Sequence, residues 1–141
     1  MSTIRAWNYL GRSMLALVGT IALSASAEDV KVTLSGNEEV PPVTTTAKGE
    51  GTITVADDKT VKGSVTTMGV EGVAAHIHTA APGKNGPPII TLTKASDDEW
   101  RVPEGAKLTA EQYEAFKAGN LYVNVHSAAN KPGEIRGQLK P

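Results

Sequence analysis

Short runs of alternating apolar and polar residues, each closed by glycine, proline, asparagine or aspartate, follow one another from residue 30 to the end of the chain. A period of two is the mark of a strand with one buried and one wet face, so these runs constrain the fold more than any other feature. The first is Val30-Lys31-Val32-Thr33-Leu34. It leads into Ser35-Gly36-Asn37-Glu38-Glu39-Val40-Pro41-Pro42, where two prolines exclude a sheet interior and predict a surface crossing. Gly51-Thr52-Ile53-Thr54-Val55 and Val61-Lys62-Gly63-Ser64-Val65-Thr66 flank an aspartate-bearing stretch and predict a hairpin. The series continues with Val73 to Thr79, Ile89 to Thr93, Trp100 to Val102, Leu121 to His126 and Glu134 to Leu139. One helix is signalled, from Ala110 to Ala118. Thr109 is its N-cap, Gln112 completes a capping box, Leu108 and Tyr113 form a staple, and Gly119 is the stop. Seven or eight short strands with one short helix predict an all-β fold, an antiparallel Greek-key barrel or sandwich.

The first 27 residues read as a targeting segment rather than as part of this fold. Arg5 and Arg12 precede a short apolar stretch, Met14 to Leu23, and Ala25-Ser26-Ala27 supplies small residues before Glu28. That order is the pattern of a secretory signal peptide, and the apolar run is short for a permanent membrane span. Cleavage near Ala27 would leave residues 28–141 as a single domain in the periplasm or outside the cell. A retained N-terminal anchor is the alternative. The whole chain carries a formal charge of −1, and losing Arg5 and Arg12 makes the remainder more acidic. No basic stripe with interleaved aromatics is present, which excludes nucleic acid as the expected partner. Cysteine is absent, so a metal site could draw only on nitrogen and oxygen ligands.

The chain has three histidines, and the strand pattern gathers them. In Val73-Ala74-Ala75-His76-Ile77-His78-Thr79 the two imidazoles share a face, with Ile77 on the other. In Leu121-Tyr122-Val123-Asn124-Val125-His126, residues Tyr122, Asn124 and His126 share the polar face. If the two strands are neighbours, His76, His78 and His126 converge as three neutral imidazoles, a donor set suited to a transition metal. The loop of residues 80–88 begins two residues after His78 and is predicted to lie over the site. The last strand should turn Ile135 and Leu139 to the core and Glu134, Arg136 and Gln138 outward. A short β-hairpin loop would bring Arg136 near His126.

Four pieces in this order resemble the CHRD family, a domain first named from its repeats in chordin. They are Leu34 to Pro42, Ala75-His76-Ile77-His78, Leu121 to His126, and Gly133-Glu134-Ile135-Arg136-Gly137-Gln138-Leu139. A looser resemblance is to the copper/zinc superoxide dismutases, Greek-key barrels with an H-x-H pair, a late copper-ligating histidine and a functional arginine near the C-terminus. That resemblance implies one copper per chain on His76, His78 and His126, with Arg136 beside the open coordination position to attract and orient superoxide. A bridging histidine, a zinc loop and the cysteine pair are missing, so the implied form is copper-only. Zinc on the same imidazoles is a lesser alternative. Two other readings stay open: a non-catalytic copper carrier, and an extracellular protein-interaction module. The oligomeric state is open, a homodimer included.

Overall fold

The computed structural model describes residues 19–22 and 26–141. Of the expected signal peptide, residues 1–18 and 23–25 lie outside the described residues. Among the described residues there are nine strands, one 3-10 turn and one α-helix. They are β1 (Ala27–Ser35), the 3-10 turn (Gly36–Glu38), β2 (Lys48–Ala56), β3 (Val61–Met68), β4 (Gly72–Thr79), β5 (Pro88–Thr91), β6 (Thr93–Lys94), β7 (Glu99–Arg101), α1 (Ala110–Lys117), β8 (Leu121–Ser127) and β9 (Ile135–Leu139). All strand pairs are antiparallel, in the order β5-β4-β8-β9-β1-β2-β3-β7-β6.

The two ends of that order are pieces of one extended segment. The run predicted over Ile89 to Thr93 is divided at Leu92, whose N–H donates to Ala75 O at 2.9 Å. Before Leu92 the segment pairs with β4, and after it with β7. Lys94 Nζ reaches Gly72 O at 3.1 Å. The sheet thereby curls round to meet itself, a nearly closed barrel that leaves little free strand edge. β1 is longer than predicted: it starts at Ala27, opposite Ala56, because Ser26 O accepts from Asp57 N and draws the chain into the ladder.

Alternation decides what fills the barrel. Val30, Val32 and Leu34 of β1 point inward with Ile53 and Val55, Val65, Ala75 and Ile77, Val123 and Val125, and Ile135 and Leu139, all between 0% and 3% exposed. Burying one such side chain contributes about 1.5–3 kcal/mol before conformational entropy is counted. The helix is the one the sequence predicts: Thr109 Oγ1 accepts from Gln112 N at 3.1 Å, and the Gln112 side chain answers to Thr109 N at 2.9 Å. Phe116 is its buried anchor.

Candidate metal centre

The candidate site side chains stand on the outer wall of the barrel, on the faces of β4, β8 and β9 opposite the core. β8 lies between the other two, so its residues meet partners on both sides. His76 is opposite Asn124 and His78 opposite Tyr122; across β9, Asn124 is opposite Arg136 and Tyr122 opposite Gln138. This register brings the three histidines together as the sequence predicts. Ring centroids are 4.9 Å apart for His76 and His126, 5.5 Å for His76 and His78, and 6.2 Å for His78 and His126. One nitrogen from each ring lies within 4.8 Å of the others.

Backbone carbonyls set which nitrogens converge. His78 Nδ1 is 2.8 Å from Gly86 O, and His126 Nδ1 is 2.7 Å from Lys131 O. A carbonyl only accepts, so both Nδ1 atoms carry the proton and both Nε2 atoms keep a lone pair. His126 Nε2 lies 3.0 Å from His76 Nδ1. The His78 Nε2 atom is buried without any hydrogen-bond partner. An orphaned lone pair, a second one facing a ring nitrogen, and two carbonyls that fix the Nδ1 protons make a donor set whose chemistry fits a transition metal. Burial, then the neighbouring imidazoles, hold the His76 pKa below the ordinary imidazole range. Burial does the same to His78, against the opposing Gly86 hydrogen bond. Both rings are therefore neutral and ligand-competent at neutral pH.

Arg136 and Gln138 do not face solvent as predicted. They are 1% and 9% exposed, because the loop of residues 80–88 closes over them. Arg136 donates to Asn85 Oδ1 (3.3 Å), Ala81 O (3.5 Å) and Gln138 Oε1 (3.2 Å), while Gln138 Nε2 reaches Ala80 O (2.9 Å) and Gly119 O (2.8 Å). The guanidinium carbon sits 3.5 Å from the centroid of Tyr122. Tyr122 in turn stacks on His78, with centroids 4.7 Å apart and planes 8° from parallel. Tyr122 thus stands between Arg136 and His78. The same loop supplies the Gly86 carbonyl, so its predicted place over the site is met.

One residue of this layer went unrecognised as part of the site. Glu39 follows the 3-10 turn and is 6% exposed. Burial pushes its carboxyl up to about 7, against the opposing pulls of Asn124 and Arg136. The signal available was its place in Leu34 to Pro42, one of the pieces carrying the family resemblance. Gly133, at φ +135°, makes room for it: a Cβ there would collide with Glu39 Oε1 and Asn124 Nδ2. Gly133→Ala is therefore expected to destabilise the domain by ~2 kcal/mol or more, from strain and a displaced buried carboxyl, measurable by urea unfolding. A change below ~0.5 kcal/mol would show that the Glu39 pocket relaxes freely.

Among the described residues, no helix is long and apolar enough to cross a membrane. No curated protein and no solved structure matches the chain. The family described as CHRD domain matches residues 30–139, from β1 through β9, and takes in all three histidines, Glu39 and Arg136. The chain belongs to the CHRD domain family.

Proposed function

We propose that this is an exported copper-binding domain whose three-histidine site dismutates superoxide. The observation that carries the metal reading is the pair of carbonyls, Gly86 O and Lys131 O, that commit two Nδ1 protons and leave two Nε2 lone pairs free, that of His126 facing His76 and that of His78 buried without a partner. Three imidazoles suit copper in both oxidation states, and divalent affinity along the first-row series peaks at copper. Bound there, copper would supply a one-electron acceptor and donor, the chemistry that superoxide dismutation needs. The chain's own part is to hold the ion at one partly open side. His76 and His126 are half-exposed, while Tyr122 and the 80–88 loop seal the side behind His78. In this reading Arg136 is a fixed positive charge behind Tyr122, favouring an anion at the open position. Delivery to the periplasm or the cell exterior follows from the signal-like N-terminus.

The burial of Arg136 favours a second reading, a copper carrier without turnover. A guanidinium sealed under a loop cannot reach out to a diffusing anion. Copper titration of the metal-free protein, followed by a superoxide assay of the loaded form, separates the possibilities. One copper per chain with turnover well above that of free protein supports the enzyme. One copper without turnover supports the carrier, and no copper uptake sinks both.

A further inference from the structure

Glu39 occupies a place where a carboxylate has little to gain. It is 6% exposed, its Oε1 has no hydrogen-bond partner, and it joins no salt bridge among the described residues. The groups that face it are Asn124 on β8, Gly133 in the loop between β8 and β9, and the Arg136 guanidinium on β9. Asn124 is the centre of the site's face. It is opposite His76 across one strand pair, opposite Arg136 across the other, and two residues from His126 along β8. The Glu39 carboxyl is therefore one side chain away from the imidazole cluster. Three of the four orphaned buried polar atoms among the described residues, Glu39 Oε1, Asn124 Oδ1 and His78 Nε2, belong to this one layer. The pulls of Asn124 and Arg136 do not make up for that burial, so the acid with its unpartnered oxygen is a net burden on the fold that a further cation nearby would ease.

We propose that Glu39 is the counter-charge of the metal: its carboxyl ionises as a divalent cation settles on His76, His78 and His126, so that it weakens the metal-free fold and tightens the metal-bound one. The inference rests on the three-histidine site holding a metal. The step is an acid dissociation: the carboxyl O–H bond breaks, the proton leaves to solvent, and a carboxylate remains near the cation. A carboxyl whose folded-state pKa is raised from 4.5 to about 7 gives stability that is full below 4.5 and lost as pH rises through 7. The burden on the metal-free protein is thus fully present at pH 8.

Glu39→Gln removes the charge and keeps the shape. At pH 8 the metal-free variant should melt at a higher temperature than wild type, while its affinity for copper and for zinc falls at least about tenfold. Calorimetric titration near pH 7 in two buffers of different ionisation heat should show wild type releasing about half a proton more per metal than the variant. A purely structural role would alter the melting temperature and leave affinity and proton count unmoved. A second measurement needs wild type alone: the infrared band of a protonated carboxyl, present in metal-free protein at pH 6.5, should vanish on adding copper. Equal affinity in the two proteins, equal proton release, or an acid band that persists in the loaded protein overturns the assignment. If wild type binds neither copper nor zinc, the metal site itself fails, and the counter-charge falls with it. Tight binding by wild type and variant alike removes the counter-charge only.

Discussion

His126→Ala is expected to bind copper at least ~100-fold more weakly than wild type and to unfold within ~1 kcal/mol of it. The two halves of that expectation come from different features. His126 is only half-buried, so its loss opens no sealed cavity in the barrel. As a ligand it offers a lone pair whose direction is fixed by the Lys131 carbonyl 2.7 Å from Nδ1. Losing a group that merely orients a ligand typically costs 10–100-fold in metal affinity, so losing the ligand should cost at least the upper end. Competition titration with a copper chelator reads the affinity, and chemical unfolding of the metal-free proteins reads the fold. Affinity and stoichiometry equal to wild type would remove His126 from the site. The acid dependence has a definite sign. His76 and His78 titrate below the ordinary imidazole value of 6.5, so proton competition at these rings sets in only below that value. In the metal-free protein the same lowering gives stability that is present above 6.5 and lost as pH falls through the folded-state values.

Arg136→Ala should destabilise the fold strongly, by ~3 kcal/mol. The side chain is 1% exposed, and truncation would take the donor from Asn85 Oδ1, Gln138 Oε1 and the Ala81 carbonyl together. Of these acceptors only Gln138 Oε1 belongs to a buried residue, and leaving it unmade costs ~1–3 kcal/mol. Asn85 and Ala81 are exposed and can turn to water, while the cation–π contact with Tyr122 and the packing of the buried stem are lost as well. Thermal unfolding measures the loss directly. An effect below ~1 kcal/mol would mean that the 80–88 loop closes without the guanidinium. Arg136→Lys separates charge from shape, since lysine keeps the cation but lacks the planar fork. If the buried cation favours an anion at the metal, copper-loaded Arg136→Lys should keep much of any superoxide turnover. Equal turnover by folded, copper-loaded Arg136→Ala would end that role.

Much of this was written in the period-two pattern. It placed His76 and His78 on one face, turned Leu121, Val123 and Val125 to the core, and put His126 within reach once β4 and β8 paired. The helix was legible too, because Thr109 and Gln112 act locally. Face assignment does not say what lies above a face, and there the reading of Arg136 and Gln138 failed. Their burial depends on Ala80 O, Ala81 O and Asn85 arriving from more than fifty positions away. Glu39 was hidden for the same reason: a glutamate in a proline-bearing crossing looks solvated until Gly133 opens a pocket for it. The orienting carbonyls of Gly86 and Lys131 carry no side-chain signature at all.

The division of one segment at Leu92 reaches beyond the domain itself. With the two outermost strands joined through that residue, there is scarcely any exposed ladder for a visiting peptide to extend. Strand addition by another chain would therefore find little backbone to pair with among the described residues.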